Sequence, residues 1–302
     1  MSVDDRVAVA PAPARIESAD RTFVRKGRGR RRAMQIALHA ALLLWAFHAI
    51  YPLIWVLITS LKYTRELYRE PFALPQFWKW SNYREAWVNA NMDRYFVNSL
   101  VVTAGSTVLL LALASPTAFA LARFEFRFKG LVWGYILFGF LIPHSVILIP
   151  LAIFTRKIGL YNSLAGLALV YAAVGIPWNV FFLRAFMETI PSELEEAAVL
   201  DGATMWNVFR DVIVPLSVPA LATMATFHIL SAWSEFILAL VLTGETNSRT
   251  LPVGVSLLEG HFTSNEPGVA AGMAITIVPA VVAFIFLQRF VIRGLTAGAL
   301  KA

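Results

Sequence analysis

The sequence predicts an all-α polytopic membrane protein with six transmembrane helices. Hydrophobic residues make up 58% of the 302 positions and charged residues only 15%, whereas soluble domains are about half apolar and about a quarter charged. The mean hydropathy is +0.64. Six windows contain no Asp, Glu, Lys or Arg, and each is at least as long as the roughly 20 residues that cross a bilayer. These windows are residues 33–61, 95–122, 130–155, 158–183, 212–234 and 267–288.

A basic run directly before the first window predicts the orientation of the chain. Six of the eight residues from Arg25 to Arg32 are Arg or Lys, and such runs stay on the cytoplasmic side of a membrane. Six spans then leave 17 of the 26 Lys and Arg residues on the inner side, which agrees with this rule. Basic runs also bind nucleic acid, but next to a span we expect contact with anionic membrane lipid instead and no nucleic-acid partner.

The windows and the charge pattern together predict the domain organisation. Prolines inside the windows predict kinked helices that pack as a bundle, because neighbouring helices can satisfy the carbonyls that proline frees. The expected segments are a disordered, basic cytoplasmic tail at 1–32, the first span at 33–61, an extracytoplasmic loop at 62–94, a core of five further spans at 95–292 with a cytoplasmic loop at 184–213, and a cytoplasmic tail at 293–302.

The loop at 184–213 carries the most informative local pattern. Ser192 and Glu195 have the spacing of a capping box, which predicts a short helix from Glu193 to about Leu200, and Gly202 is placed to end that helix. A second amphipathic helix is expected from Thr204, with four apolar residues at helical spacing: Met205, Val208, Phe209 and Val212. Interfacial membrane helices carry Lys and Arg on their polar face. This loop is acidic, so docking onto another protein is the better interpretation.

These residues also resemble a known signature. Glu196-Ala197-Ala198, with Gly202 four residues further on and Pro215 thirteen beyond that, is similar to the cytoplasmic motif of binding-protein-dependent ABC importer permeases. The resemblance extends from about Tyr51 to Ala302, and it is with the carbohydrate, MalG-like branch of that family. It implies the type I ABC importer permease fold, with 184–213 as the coupling loop. It also implies five contacts with an ATPase cleft: Glu196, Ala197, Ala198, Asp201 and Gly202.

The same resemblance implies the partners of the chain. They are a second homologous permease subunit, a cytoplasmic ATPase dimer and an extracytoplasmic substrate-binding protein, in the inner membrane of a bacterium or archaeon. The tail glycines Gly294 and Gly298 do not form the Gly-Lys-Ser/Thr loop that cradles phosphates. We therefore expect no cofactor in this chain, with ATP and Mg bound by the ATPase, and no catalytic residues.

Other residue patterns exclude some kinds of site and leave one alternative function. The chain has no cysteine, and its five histidines are scattered without ligand-like spacing, so no metal site is expected. The alternative function is a secondary transporter or membrane scaffold that works without an ATPase. An ion-coupled carrier would show internal repeats and charged relays across several spans.

Candidate residues of the permeation path come from polar groups in or near the spans, which are costly there. His228, Ser231 and Glu235 lie on one helix face by their spacing of three and four. Two interpretations of Glu235 remain open, a role in the path or gate and a packing role at the outer interface. Ser234 stands where the family usually has Asn, and this difference bears on substrate choice. His144 lies between Pro143 and Pro150, either facing a cavity or packing between helices.

Overall fold

A computed structural model describes residues 20–261 and 265–299 of the chain. Within these residues every regular element is a helix. The elements are α1 (Asp20–Ser60), α2 (Thr64–Arg69), α3 (Ser81–Arg84), a π-helical turn (Glu85–Asn89), α4 (Met92–Arg123), α5 (Lys129–Leu141), α6 (His144–Lys157), α7 (Leu164–Met187), α8 (Glu193–Leu200), α9 (Met205–Asn207), a second π-helical turn (Val208–Ile213), α10 (Val214–Leu216), α11 (Val218–Ser234), α12 (Ile237–Leu242), α13 (Leu251–His261) and α14 (Glu266–Ala299).

Two compact units divide the chain, residues 1–55 and residues 56–302. In the first unit, the described side chains of the apolar part of α1 are largely exposed, for example Leu44 at 73%. The second unit contains the remaining helices and three clusters of buried apolar side chains. All site residues discussed below belong to this second unit.

The described helices contain four continuous candidate spans, and the number reaches the predicted six if each of two bent helix pairs is one span. Each of the four is long and apolar enough to cross a membrane: Arg31–Ser60, Met92–Arg123, Leu164–Met187 and Glu266–Val291. The other two are helix pairs, Lys129–Leu141 with Ser145–Lys157, bent by 108°, and Met205–Leu216 with Val218–Ser234, bent by 73°. Proline stands at both bends, Pro143 as the N-cap of α6 and Pro219 in the first turn of α11, where a missing amide hydrogen is least costly.

Three boundaries differ from the sequence-based expectation. Residues 20–32 are helical rather than a disordered tail, and they continue into the rest of α1 without a break. The fourth span begins at Leu164 instead of residue 158, because Gly159 and Asn162 adopt positive φ and Ser163 caps the helix through Gly166 N. At the C-terminal end, α14 continues through residue 299. Residues 1–19 and 300–302 lie outside the described residues.

Helix α4 packs along α7, and α11 packs against both α4 and α14. The buried side of α4 is lined by small residues. Ser106, Ala114 and Ala118, for example, are each 0% exposed. Small side chains let helix backbones approach closely inside a membrane, where apolar contact alone gives little preference for protein over lipid. The α4–α7 pair therefore forms the centre of the second unit.

A close approach between α13 and α4 generates a prediction on packing. A Cβ atom at Gly254 would lie 2.3 Å from Cδ2 of Tyr95, whereas one at Gly134 of α5 would meet nothing within 4 Å. We expect Gly254→Ala to lower the free energy of unfolding by about 1–3 kcal/mol through overpacking. The control Gly134→Ala should leave it unchanged or raise it by up to about 1 kcal/mol. Thermal unfolding of the two purified variants in detergent measures the difference, and equal midpoints would contradict this packing.

Candidate functional site

The start of the coupling loop is held by an ion pair and not by the predicted capping box. Helix α8 spans Glu193–Leu200 as expected, but Ser192 has helical angles (φ −67°, ψ −22°) and its side chain makes no capping bond. The capping-box prediction is therefore wrong. The Glu195 carboxylate accepts a hydrogen bond from Arg123 Nε at 2.5 Å instead, because a guanidinium is a stronger donor to a carboxylate than a backbone amide is.

Arg123 ties the coupling loop to the C-terminal end of α4. Besides its bond to Glu195, its Nη2 donates to the Ile190 carbonyl oxygen at 2.7 Å. The Arg123 and Glu195 side chains are only 17% and 11% exposed, so solvent screens this pair less than a surface ion pair. We call the contact between Arg123, Glu195 and Ile190 the Arg123 clamp. It makes the start of α8 follow any displacement of the end of α4.

Helix α8 ends in a glycine turn, as the sequence predicts. Gly202 has φ +88°, its amide donates to the Val199 carbonyl at 3.0 Å, and the Ala203 amide donates to the Ala198 carbonyl at 2.9 Å. These two bonds define a Schellman motif, in which glycine avoids the steric penalty of a left-handed residue. The turn fixes the direction in which the chain leaves α8.

The second half of the loop begins as expected at Thr204, whose hydroxyl accepts a bond from Asn207 N at 3.3 Å. The chain then forms a π-helical turn, Val208–Ile213. One extra residue in that turn advances the buried face, so Ile213 is buried and Val212 only half-buried. The predicted stripe is therefore wrong at Val212, and also at Met205, which is 45% exposed. Phe209 packs against Phe119 of α4, with ring centroids 5.2 Å apart.

The coupling loop consequently has an inner face bound to α4 and an outer face that the described residues leave exposed. Four of the five predicted ATPase contacts are exposed: Glu196, Ala197, Asp201 and Gly202. The fifth, Ala198, is half-buried and packs against the core cluster. Two large apolar side chains accompany the exposed four, Leu200 at 88% exposure and Trp206 at 61%. Exposed apolar side chains of this size are typical of a surface that docks onto another molecule.

A second candidate site is a cavity of about 450 Å³ bounded by α5, α7, α11 and α12. His228, Ser231 and Glu235 all line it, so the structure brings together the three residues that the sequence places on one helix face. Polar and aromatic side chains of the other helices join them, namely Tyr171, Asn179, Phe140 and Trp178. The cavity thus combines hydrogen-bonding groups with aromatic rings.

Two of the cavity residues are held by specific hydrogen bonds. His228 is buried, and its Nε2 lies 3.0 Å from Ser106 Oγ of α4. The Glu235 carboxylate accepts bonds from the Tyr171 hydroxyl at 2.8 Å and from the amides of Leu238 at 2.8 Å and Ala239 at 2.9 Å. Glu235 therefore caps α12 and links it to α7. It also lines the cavity.

Ser234 and Trp233 lie outside this cavity, and His144 is described by its backbone only. Ser234 is exposed, its Oγ donates to the Leu230 carbonyl at 2.8 Å, and it does not line the cavity. The backbone of His144 begins α6, but its side chain is outside the described residues. Trp233 is buried on the other side of α11 and donates from Nε1 to the Thr276 carbonyl at 3.1 Å.

Sequence reasoning missed the contribution of α7 to this cavity. Tyr171, Gly175 and Asn179 follow each other at intervals of four, which places them on one helix face. Asn179 Nδ2 donates to the Gly175 carbonyl at 2.9 Å. A Cβ at Gly175 would lie 3.2 Å from His228 Nδ1, so glycine allows α11 to come close. The signal available in the sequence was the presence of two polar side chains, Tyr171 and Asn179, in the otherwise apolar stretch 164–183.

Comparison with known proteins places the chain among membrane transport subunits. A model of the family described as the inner membrane component of binding-protein-dependent transport systems matches residues 101–297. The chain is 33% identical over 265 residues to the diacetylchitobiose uptake permease NgcG of Streptomyces coelicolor, covering 87% of this chain and 88% of that protein. It is 34% identical over 256 residues to the trehalose permease SugB of Mycobacterium tuberculosis, covering 84% and 93%.

A solved structure supports the same architecture. It is a bacterial ABC transporter involved in the import of the acidic polysaccharide alginate, and one of its chains matches this one with a TM-score of 0.76 at 24% identity. The match covers 85% of this chain and 96% of the other. This likeness confirms the predicted fold, an all-α permease of the type I ABC importer class.

The Arg123 clamp predicts different effects for two adjacent carboxylates. We expect Glu195→Gln to lower the free energy of unfolding by about 1–3 kcal/mol, because Arg123 loses its charged acceptor in a largely buried position. Glu196→Gln should change it by less than about 0.5 kcal/mol, because Glu196 is exposed. Thermal unfolding of the purified variants checks both values. Equal destabilisation by the two substitutions would mean that the clamp does not hold the loop.

Proposed function

The chain belongs to the family of inner membrane components of binding-protein-dependent transport systems, and from this membership we propose that it helps to import a sugar or a related polyol or oligosaccharide. It is a multi-pass membrane permease subunit of an ABC importer and not an enzyme. The observation that carries the assignment as an importer subunit is the outer face of the coupling loop, where Glu196 and Ala197 of α8 and Asp201 and Gly202 of the glycine turn are exposed.

The proposed partner of that face is a cytoplasmic ATPase dimer that binds ATP and Mg. The exposed face combines acidic groups with Leu200 and Trp206, so a complementary cleft would be apolar with basic groups at its rim. The inner face is already occupied by α4 through the Arg123 clamp. Force applied by the ATPase to α8 would therefore reach α4 directly. A second homologous permease subunit and an extracytoplasmic substrate-binding protein would complete the assembly.

The proposed cargo class rests on two supports. Two relatives that share about a third of their residues with this chain are named as permeases for diacetylchitobiose and trehalose. The cavity near His228 offers hydroxyl, amide and imidazole groups beside the rings of Phe140 and Trp178, and sugar sites combine such polar groups with aromatic faces. The alternative of a transporter or scaffold without an ATPase gains no support from the family or from the described residues.

We place the coupling loop and both termini in the cytoplasm of a bacterial or archaeal cell, on the basis of the basic run at residues 25–32. Transport would proceed by alternating access. ATP binding shifts the equilibrium between inward-open and outward-open states only through unequal affinity for the two. The loaded binding protein would favour the same outward-open state as ATP.

The glycine turn predicts a variant that uncouples transport. Gly202→Val forces a β-branched residue into a left-handed conformation, which costs about 1–2 kcal/mol and corresponds to about a tenfold shift in an equilibrium. We expect sugar uptake to fall by about that factor while the amount of chain in the membrane stays unchanged. Uptake of labelled sugar by vesicles that contain the assembled transporter measures the effect.

The matched control is Gly130→Val. Gly130 is an exposed glycine near the start of α5 with ordinary φ, and a Cβ there would meet nothing within 4 Å. Uptake by this variant should match the native protein. Native uptake by Gly202→Val, with the ATPase still bound, would overturn the assignment of the coupling loop.

The cavity predicts sugar-dependent protection of one serine and not of another. The chain contains no cysteine, so a single introduced thiol is the only reactive one it carries. Ser231 and Ser234 are both exposed, but only Ser231 lines the cavity. We expect a transported sugar to slow the modification of Ser231→Cys by a membrane-impermeant thiol reagent and to leave Ser234→Cys unaffected. If sugar protects neither thiol or both alike, the cavity is not the sugar path.

A further inference from the structure

An apolar strip lies on the loop between the first two spans, at the end of α4 opposite to Arg123. Five large apolar side chains within nine residues are each more than half exposed. They are Phe72 at 74%, Leu74 at 67%, Phe77 at 71%, Trp78 at 57% and Trp80 at 64%. We call these five residues the aromatic strip. Large apolar side chains exposed this close together in sequence indicate a surface that contacts another apolar phase.

Buried polar side chains hold the loop beneath the strip in a defined shape. Lys62 is 0% exposed, and its Nζ donates to the carbonyl oxygens of Glu70 at 2.8 Å and Pro71 at 3.3 Å. Asn82 is also 0% exposed, and its Nδ2 donates to the carbonyl oxygens of Ser60 at 2.9 Å and Lys62 at 3.0 Å. Buried polar groups with such bonds are costly to disrupt. The strip is therefore presented on a folded support.

The same bonds place the strip at the end of a span. Asn82 binds the carbonyl of Ser60, the last residue of α1, and the Lys79 amide donates to the Leu61 carbonyl at 2.9 Å. Lys79, which lies between Trp78 and Trp80, is thus hydrogen bonded directly to the end of the first span. The rings of the two tryptophans stack with centroids 6.4 Å apart. The strip therefore adjoins the end of a helix that is long and apolar enough to cross a membrane.

The side chains in and around the strip are of the kinds found at the level of the lipid headgroups. Trp and Tyr are enriched at the level of the headgroups, because their rings are apolar while the indole N–H and phenol O–H still reach water or phosphate. Lys79 lies between the two tryptophans in sequence, with its ammonium 5.3 Å from the ring centre of Tyr63. A lysine at this level keeps its charge among the headgroups while its methylenes lie against apolar surface.

We propose that the aromatic strip is a lipid-interface anchor, inserted among the headgroups of the outer leaflet, which fixes the depth of the first two spans. The strip is continuous with the end of a membrane-spanning helix, so the bilayer that surrounds this helix also reaches the strip. The anchor is independent of the transported molecule.

Spin labels on the full-length chain test the anchor directly. The absence of cysteine permits three single substitutions, Phe77→Cys in the strip, Leu44→Cys in the first span and Glu245→Cys on an exposed polar loop. Each labelled chain is assembled with cysteine-free partners in vesicles of phosphatidylethanolamine and phosphatidylglycerol. Collision rates with oxygen, which concentrates in the bilayer, and with a water-soluble nickel chelate are then compared.

The anchor predicts that the label at 77 collides with the nickel chelate severalfold less often than the label at 245, and with oxygen severalfold more often. The ratio of the oxygen rate to the nickel rate at position 77 should lie between the ratios at positions 245 and 44, and closer to the ratio at position 44. A label at 77 as open to nickel as the label at 245 would overturn the proposal, because the strip would then be in water. Low rates with both reagents would also overturn it, because a protein partner would then cover the strip.

Discussion

Helix α4 is hydrogen bonded at both of its ends to segments that lie outside the membrane, and the rest of the described second unit is arranged around this constraint. Near its start, Asn98 Nδ2 donates to the carbonyl oxygens of Asn247 at 2.9 Å and Arg249 at 2.8 Å. At its end, Arg123 holds Glu195 and the Ile190 carbonyl. Hydrogen bonds in a medium of low dielectric constant are strong and costly to leave unmade. Helix α4 therefore joins the loop around Asn247 at one end to the coupling loop at the other, with α7 packed along it.

The break between α11 and α12 lies beside the candidate permeation path. Non-helical backbone inside a membrane is tolerated only where protein or a water-filled cavity satisfies its polar groups. At the end of α11 the Glu235 carboxylate performs this task, because it accepts the amides of Leu238 and Ala239 and the Tyr171 hydroxyl together. The cavity lies beside this break. These three donors satisfy the Glu235 carboxylate, so it persists beside an apolar helix without a basic partner among the described residues.

Adjacent residues in the coupling loop have separate tasks because a helix turns by about 100° per residue. Glu195 faces α4 and forms the ion pair of the Arg123 clamp, whereas Glu196 faces outward and is exposed to a partner. The glycine turn at Gly202 then sets the outward face at a fixed angle to the second half of the loop. Transmission from a partner to the spans requires both faces at once, one that receives the force and one that passes it to α4.

The sequence by itself determined the helical class, the approximate spans, helix α8 and its end at Gly202, and the shared face of His228, Ser231 and Glu235. These features depend on composition, helical spacing and the conformational freedom of glycine, all of which act within a few residues. Tertiary structure alone decided that Glu195 pairs with Arg123 rather than capping its own helix, that a π-helical turn buries Ile213 in place of Val212, and that Tyr171 and Asn179 complete the cavity. The physical reason is distance along the chain: the partner of Glu195 is 72 residues away, and no local pattern reports which groups folding brings together.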